Sequence, residues 1–394
     1  MISTGYPNAP DAAAPGPRCN TGRVGLKSTP TRVTIVLVAF TIGMSVSIVS
    51  ISTSACLAMN DLRELEAQAA RQAFNPDHTA VHQDDPFLDY LRIEFCPCCG
   101  TPAAEAEPRI ASSPPAETLC AEQHTSFLSG YTRARVFFTY FECPSCSAMF
   151  CPTYYRQSQL DGLYGRQAEN MFYLPLESRK RTQEDYIDLL RRHSRMAGNF
   201  LEIGPDIGLF ASSFGRLGAF DQFWLYEPNR DVHEPLAGNF RGMRHTISTG
   251  IFRAADVPAQ SVSTAAMIHV LDHLLEPAQF LREIASSMEP GGVIFIVTHD
   301  CASLLARVLR GRWPPYALQH PQLFSRRSIA TLLQASGFEV LETVKTTNYF
   351  PLPYLIRAAL TVLGLPSGFI PASAAPLIAI KLGNIATVAR KRSA

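Results

Sequence analysis

The sequence predicts an α/β layered domain preceded by a small cysteine-rich unit, in a chain of 394 residues. From Asn199 onward, short apolar runs alternate with amphipathic stretches, which is typical of strands and helices that alternate along the chain. Most of the ten cysteines lie between residues 87 and 155, several of them in close pairs. Close pairs are more typical of metal ligands than of a disulfide framework. We therefore expect a metal-binding unit over 87–155 and an α/β domain over 199–394.

Composition and charge exclude several classes of protein. With 46% hydrophobic and 18% charged residues, the chain is too apolar for a disordered polymer and lacks the repeated spans of a polytopic membrane protein. The 35 basic and 34 acidic residues give a net charge of +1, without the positive surplus that binding to a phosphate backbone requires. We therefore expect no nucleic-acid partner.

The N-terminal region leaves two interpretations open. Residues 1–32 are rich in Pro, Ala and Gly and are predicted to be disordered. Within the apolar segment 33–58, residues 33–52 are long enough to span a bilayer, but the flanking charges would export everything that follows, and exported thiols oxidise. Either the segment contacts a membrane or the natural start is Met59, at the head of a helical linker over 59–86. A reducing, cytoplasmic location fits the cysteines, with membrane association as the alternative.

The paired cysteines predict a zinc-ribbon-like unit. Cys96 with Cys99, and Cys143 with Cys146, each place two thiols three residues apart, a spacing that lets a tight turn direct both sulfurs at one tetrahedral ion. Four thiolates fill the zinc shell, so the ion would be structural rather than catalytic. Free buried thiols are the alternative. The residues that could substitute as ligands are Cys98, Cys120, His124 and Cys151.

The α/β region can be read element by element. The runs NFLEI, QFWLYE, TAAMIHV and GVIFIVTH are predicted to be buried strands. A helix precedes the last of these, and Glu289-Pro290-Gly291-Gly292 stops it. Ser325 is expected to cap a second helix that ends at Gly337. FEVLETVKT and NIATVAR follow as strands. Residues 156–198 are read as a helical linker, and the apolar insertion 351–380 as an interfacial hairpin or a substrate lid, with membrane contact as an alternative.

A glycine-bearing turn follows the first predicted strand, in LEIGPDIGLF over 201–210. Such a turn is where open α/β sheets bind a cofactor, and Gly204 and Gly208 let the backbone approach a ligand. A carboxylate at Asp206 would repel a pyrophosphate but suits a cofactor with an ammonium group and no phosphate. S-adenosylmethionine is such a cofactor. Glu227, at the end of the next strand, could accept hydrogen bonds from ribose hydroxyls.

Four segments together resemble the successive motifs of class I S-adenosylmethionine-dependent methyltransferases: LEIGPDIG, LYEPN, MIHVLDHLLEPAQFLREIASSMEPGGVIFIVTHD and HPQLFSRRSIATLLQASGFEV. The resemblance covers residues 199–348. It implies a Rossmann-like seven-stranded sheet whose last strand is antiparallel. By that likeness, the methionine end of the cofactor would be held by Glu202, Gly204, Asp206 and Gly208. Glu227 would hold the ribose, Ile251 and Phe252 would lie near the adenine, and His269 would lie at the rim of the active site.

A cysteine-paired unit fused to such a domain is similar to bacterial methyltransferases of sugar nucleotides and related metabolites. In those enzymes a Glu-His pair supplies a base. In this chain the pair is Gln319-His320, so the histidine matches and the acidic neighbour does not. His320 is the first candidate base, because a neutral imidazole is poised to take a proton near physiological pH. His273 and Tyr316 follow.

Two other kinds of protein remain as alternatives. The first is a non-catalytic cofactor-binding or membrane-associated interaction protein built on the same fold. The second is an NAD-linked oxidoreductase.

Overall fold

The computed structural model describes residues 90–119, 124, 127, 135–164, 174–368, 370 and 375–393. The predictions for 1–32, 33–58 and 59–86 lie outside the described residues, as does Cys120. Within the described part of the chain, no helix combines the length and the apolar character needed to cross a membrane.

The N-terminal unit is built from short antiparallel strands. β1 (Leu91–Arg92) pairs with β5 (Thr153–Tyr154). β2 (Glu107–Ile110), β3 (Tyr140–Glu142) and β4 (Met149–Phe150) form a second sheet. The fourth strand of that sheet comes from much later in the chain: β11 (Gln322–Leu323) pairs with β4. Backbone hydrogen bonds therefore join the cysteine-rich unit to the α/β domain.

The described residues between the unit and the main sheet contain two helices, α1 (Gln157–Tyr164) and α2 (Leu176–Arg191). Tyr186, Ile187 and Leu190 of α2 are buried in an apolar cluster with residues of the main sheet. α2 thus covers one face of the sheet.

The main sheet has seven strands. Their bounds are β6 (Ala197–Ile203), β7 (Ala219–Tyr226), β8 (His245–Ser248), β9 (Val262–Ile268), β10 (Met288–His299), β12 (Phe338–Lys345) and β15 (Asn384–Lys391). Their order is β12-β15-β10-β9-β6-β7-β8. β15 runs antiparallel to both of its neighbours, whereas the pairs from β10 to β8 are parallel. This confirms the predicted fold class, including its antiparallel last strand.

The strand sequences are almost continuously apolar because both faces of the sheet are covered. In β9 every residue except the last is buried. The helices that flank the sheet are α3 (Leu209–Gly215), α4 (His233–Asn239), α5 (Pro277–Ser287), α6 (Leu304–Leu309) and α7 (Arg326–Ala335). α5 ends at Ser287, two residues before Glu289, and the residues Glu289–Gly292 that were expected to stop the helix lie in β10.

The predicted ends of α7 are also confirmed. The Ser325 hydroxyl accepts a hydrogen bond from the Ser328 amide at 3.1 Å, and the Ser328 hydroxyl accepts one from the Ser325 amide at 2.8 Å. This reciprocal cap satisfies two amides that the first turn of a helix leaves unpaired. Gly337 follows the helix with φ +91°.

The apolar insertion contains a helix between two paired strands. β13 (Asn348–Pro351) leads into α8 (Leu352–Val362), and β14 (Leu377–Ile380) returns antiparallel to β13. The role of the apolar insertion as a lid or a membrane contact stays a prediction.

Candidate active site

The predicted site residues lie at the carboxyl ends of neighbouring parallel strands. Gly204 follows β6, Glu227 follows β7 and His269 follows β9. His299 is the last residue of β10. Ligands of open α/β sheets bind at this edge, where the direction of strand succession reverses. Here the reversal lies between β6 and β9.

The glycine turn needs residues without side chains at two positions. Gly204 has φ +67°, and a Cβ there would lie 2.6 Å from Cγ2 of Val270. Gly208 has φ +75°, and a Cβ there would lie 2.5 Å from Leu236 and 2.7 Å from Phe240. Asp206, between them, also adopts a positive φ of 52°. The turn therefore presents its backbone directly to the strand edge.

Glu227 fixes this turn to the next strand. Its Oε2 accepts a hydrogen bond from the Asp206 amide and its Oε1 accepts one from the Asn229 amide, both at 2.9 Å. Burial raises the pKa of the Glu227 carboxyl, although these two amides act in the opposite direction. Each carboxylate oxygen keeps a second lone pair. Glu227 can therefore shape the turn and still accept a hydrogen bond from a ligand hydroxyl.

Glu202 is the most buried acid beside the turn. It is 2% exposed, and its Oε2 has no hydrogen-bond partner among the described residues. Burial raises its pKa to about 8, with a further rise from Glu227 and Asp206, while the Ala211 amide lowers it. Three carboxyl groups thus surround the turn. This set would repel a pyrophosphate and fits the ammonium group of S-adenosylmethionine.

The two residues predicted near the adenine differ in exposure. Phe252 is 1% exposed and packs edge-on against Tyr226, with ring centroids 5.0 Å apart. Ile251 is 61% exposed. The exposed Ile251 side chain is free to cover a flat ring, while Phe252 supports the wall from the core.

Four histidines surround a buried aspartate on the other side of β9. The ring centroids of His269 and His299 are 4.7 Å apart, those of His299 and His320 are 5.2 Å apart, and those of His273 and His320 are 4.7 Å apart. Asp272 is fully buried beside them, with its Oδ2 3.7 Å from Nε2 of His299. Burial lowers the pKa of His269 to about 3 and also lowers the pKa values of His273 and His320.

The three candidate bases differ in what their polar atoms do. Nδ1 of His320 donates to the Pro315 carbonyl at 2.6 Å, and its buried Nε2 has no partner within the described ranges. Nδ1 of His273 lies 3.2 Å from the Gln319 carbonyl oxygen. Tyr316 is 5% exposed, and burial raises its pKa. The structure therefore leaves His320 with a directed, unused lone pair and packs Tyr316 as a wall.

The N-terminal unit holds the segment that carries His320. The Tyr140 hydroxyl donates to the His320 carbonyl at 2.7 Å, and the Tyr154 hydroxyl donates to the Leu318 carbonyl at 2.5 Å. Arg135 donates to the Trp313 carbonyl at 2.8 Å. The loop segment 313–321 thus lies against the unit through its backbone.

The four predicted metal ligands come together in the structure. Sγ of Cys96 lies 3.6 Å from Sγ of Cys146, and Sγ of Cys99 lies 3.5 Å from Sγ of Cys143. All four sulfurs lie within 4.8 Å of one another. Zinc–sulfur bonds of about 2.3 Å separate tetrahedral ligands by about 3.8 Å. The sulfur positions therefore fit one zinc ion.

The two cysteine pairs occupy equivalent turns. In the first turn the Cys96 amide donates to the Thr101 carbonyl, and the Gly100 amide donates to the Cys96 carbonyl. In the second turn the Cys143 amide donates to the Ala148 carbonyl, and the Ser147 amide donates to the Cys143 carbonyl. Gly100 has φ +75° and Ser147 has φ +59°. Each turn directs both thiols of its pair to the same side.

Among the described substitute ligands, Cys98 lies beside the four sulfurs without belonging to their group, whereas His124 and Cys151 make other contacts. Cys98 is buried, and hydrogen bonding to Cys146 and Cys96 together with burial raises the pKa of its thiol well above the usual value. Nδ1 of His124 lies 2.6 Å from the Tyr155 hydroxyl. Cys151 belongs to a different apolar cluster.

Comparisons with known proteins agree with this geometry. Residues 177–343 match the family described as a methyltransferase domain. A protein of Mycolicibacterium smegmatis described as a "probable S-adenosylmethionine-dependent methyltransferase" is 29% identical over 101 residues, which are 26% of this chain and 38% of that protein. The chain thus matches about 38% of the length of this curated relative. The region that matches the family contains the glycine turn, Glu227 and His320.

Solved structures with a similar chain path include the YcgJ protein of Bacillus subtilis, with 14% identity, a TM-score of 0.38, and coverage of 54% of this chain and 100% of that one. Another is magnesium protoporphyrin IX methyltransferase of Synechocystis PCC 6803 with bound SAH. Its identity is 14% and its TM-score 0.38, over 60% of this chain and 88% of that one.

Sequence reasoning missed two residues of the site, Asp272 and His299. His299 ends the strand GVIFIVTH, directly beside the strand that leads to His269. Because the carboxyl ends of adjacent parallel strands meet at one edge, this pairing could have been found from the predicted strand order.

Proposed function

We propose that this protein transfers a methyl group from S-adenosylmethionine to a small-molecule acceptor. The observation that carries the proposal is the set of three carboxyl groups around a glycine turn at the switch point of the sheet. Glu202 contributes a buried oxygen that no described residue pairs. A cationic amino-acid group would satisfy that oxygen, because a buried carboxylate needs a partner.

The residues of the turn have distinct parts in binding. Gly204 and Gly208 keep side chains out of the path of the ligand, and Asp206 provides negative charge for the ammonium end. Burial favours the protonated form of Glu202 in the free protein, and a bound ammonium group would favour its ionised form. Glu227 offers the second lone pair of each oxygen to ribose hydroxyls. When bound, the cofactor supplies a methyl group that its sulfonium has already activated.

The acceptor side requires a group that removes a proton. His320 suits this part, because donation from its Nδ1 to the Pro315 carbonyl fixes the tautomer whose Nε2 carries a lone pair. Burial keeps that imidazole neutral by lowering its pKa. We propose an acceptor with a hydroxyl group, and sugar nucleotides and related metabolites are the first class to test.

We also propose that Cys96, Cys99, Cys143 and Cys146 hold a structural zinc ion. Their sulfur spacing supports this, and four thiolates leave no position for substrate. The described cysteines are free thiols, and zinc-binding thiolates persist in a reducing compartment. The proposal therefore includes a cytoplasmic location.

Calorimetry with S-adenosylhomocysteine tests the function without knowledge of the acceptor. We expect a micromolar Kd for the wild-type chain and at least tenfold weaker binding for Glu227→Ala. Glu234→Ala, which removes an exposed acid on α4, serves as the matched control and should bind as the wild type does. No binding to the wild-type chain, or equal affinity in all three proteins, would overturn the proposal.

A further inference from the structure

The structure brings His269, Asp272 and His299 together at the carboxyl ends of β9 and β10. Their ligand atoms all lie within 4.8 Å of one another. We propose that these three side chains bind a divalent transition-metal ion, which holds an oxygen atom of the methyl acceptor. The second half of this inference rests on the proposed function, whereas the binding of the metal does not.

The site contains more acceptor atoms than donors. Both carboxyl oxygens of Asp272, Nδ1 of His269 and Nε2 of His320 are buried and have no hydrogen-bond partner in the described part of the chain. A buried carboxylate without a partner costs several kcal/mol, on the order of the penalty for any unpaired buried ion. A cation placed among these atoms would remove that penalty.

A hydrogen bond to Asn384 orients the His299 ring so that its other nitrogen faces Asp272. Its Nδ1 lies 2.9 Å from Oδ1 of Asn384, whose amide nitrogen in turn donates to Asn348. With Nδ1 as the donor, Nε2 carries a lone pair and faces Asp272 Oδ2 at 3.7 Å. Two acceptors that face each other repel, and either a proton on Nε2 or a metal ion between the two atoms removes that repulsion. Anchoring the distal nitrogen in this way is how proteins orient metal-binding histidines.

The distances are close to those of a metal site. Bonds of about 2.1 Å place tetrahedral nitrogen and oxygen ligands about 3.4 Å apart. The His299–Asp272 separation needs to shorten by only a few tenths of an ångström to reach that value. Small rotations of His269 about its side-chain bonds would bring the third ligand to the ion.

The ligand set indicates the kind of ion and its use. Two imidazoles and one carboxylate suit Zn²⁺, Fe²⁺ and similar ions, and three protein ligands leave positions open for an exogenous oxygen. A hydroxyl oxygen of the acceptor that occupies such a position becomes more acidic. Its proton passes to Nε2 of His320, whose ring lies 5.2 Å from that of His299. The oxygen would keep the electron pair of the broken O–H bond and form a bond to the methyl carbon. The carbon–sulfur bond would break, and its electron pair would leave with the sulfur of S-adenosylhomocysteine.

This site differs in chemistry from the four cysteines. The histidine–aspartate set is nitrogen and oxygen, and its shell is open, whereas the cysteine shell is all sulfur and closed. The two sites can therefore be counted separately in one preparation.

Metal counting tests the inference. Full-length protein is loaded with Zn²⁺, freed of excess by gel filtration and analysed by mass spectrometry for zinc per chain. We expect His269→Ala and Asp272→Asn each to hold one equivalent less than the wild type, and Cys99→Ser to lose a different equivalent. His193→Ala, which removes a histidine outside the cluster, is the control and should match the wild type. Equal zinc in wild type, His269→Ala and Asp272→Asn would overturn the inference.

Two further measurements on the same samples separate loss of the metal site from unfolding and from failure of the proposed function. Circular dichroism shows whether each variant is folded, and His269→Ala is chosen because its Nδ1 loses no hydrogen bond to the described residues. Calorimetry with S-adenosylhomocysteine separates the two hypotheses. Binding of the homocysteine derivative without a loss of zinc in the variants refutes the metal site alone, whereas a loss of zinc without such binding refutes the proposed function alone.

Discussion

At the scale of single residues, the site is defined by polar atoms that the fold buries without satisfying them. Glu202 and Asp272 are both almost fully buried, and each has carboxyl oxygens without a partner in the described ranges. Proteins normally pair such groups. Glu202 lies in β6, and Asp272 follows the neighbouring strand β9. Under the proposed function, Glu202 belongs to the cofactor position and Asp272 to the acceptor position.

The carboxyl group of Glu202 should make stability depend on pH. Its pKa rises from 4.5 to about 8 on folding, so protonated Glu202 stabilises the fold fully below about pH 4.5, and this contribution is lost as the pH rises through about 8. At about 1.4 kcal/mol per pKa unit, the effect is on the order of a few kcal/mol. The buried histidines His269, His273 and His320, whose pKa values are lowered, contribute in the opposite direction. The loss should therefore appear in the difference between the wild type and Glu202→Gln, measured by denaturant unfolding of cofactor-free protein at about pH 5 and about pH 9.

Glu202→Gln should remove the Glu202 contribution and leave that of the other groups, since an amide does not titrate. Glu234→Gln, with its exposed side chain, should behave as the wild type. A wild-type curve parallel to that of Glu202→Gln would show that Glu202 titrates normally in the folded chain.

Gly208 tests the shape of the turn. In Gly208→Ala the new Cβ would lie 2.5 Å from Leu236 and 2.7 Å from Phe240 at a φ of +75°, so we expect a loss of about 2 kcal/mol in the free energy of unfolding. S-adenosylhomocysteine should bind at least tenfold more weakly. Gly238→Ala is the matched control, because a Cβ there meets nothing within 4 Å. Equal effects of the two substitutions would contradict the assigned geometry.

At the scale of elements, local signals predicted most of the structure. The apolar runs gave the strands, and Ser325 and Gly337 gave the ends of α7, because capping is decided by neighbours in sequence. The two C-x-x-C turns are equally local. By contrast, the pairing of β11 with β4 joins two-residue strands that are far apart in the chain. Neither strand carries a periodicity long enough to reveal it.

The difference between local and long-range contacts also explains which residues of the site could be predicted. Glu202 lies near the end of β6, and Gly204 and Asp206 lie in the turn that follows it, so a sequence motif could describe them together. Asp272 lies in the turn after β9 and His299 ends β10, and the two face each other only after β9 and β10 have paired. Their relation depends on sheet register, which is set by the whole domain.

The contact between β3 and the segment that carries His320 can be tested directly. In Tyr140→Phe the hydrogen bond to the His320 carbonyl is lost, at a cost of about 1 kcal/mol. We expect hydrogen exchange of amides in 313–321 to become about fivefold faster by local opening. Tyr90→Phe removes a hydroxyl of the same unit that contacts Ala116 and His124 instead, and should leave 313–321 unchanged. Unaltered exchange in Tyr140→Phe would mean that other contacts hold the segment.

At the scale of the whole molecule, the cysteine-rich unit and the α/β domain pack against each other through a common apolar cluster. The buried Cys96, Cys143 and Cys146 belong to the same apolar cluster as Phe324 and Leu332. Arg327 of α7 donates to the Ser145 carbonyl in one of the two turns. A metal ion bound by the four cysteines would therefore stabilise the part of the α/β domain that follows His320 in the chain.

This arrangement predicts how loss of the zinc ligand Cys99 should spread. A structural zinc ion contributes on the order of 10 kcal/mol to the folding of a small unit, so Cys99→Ser should increase hydrogen exchange throughout 90–119 and 135–154. Because Tyr140 and Tyr154 hold the segment 313–321 by hydrogen bonds, exchange should rise there too. The glycine turn follows β6 and is not part of these two hydrogen bonds, so the affinity for S-adenosylhomocysteine should change less than threefold. Cys301→Ser, a free thiol outside the four-sulfur cluster, is the control. If Cys99→Ser loosened the N-terminal unit while 313–321 exchanged as before, the unit would be an independent module and not a support for the site.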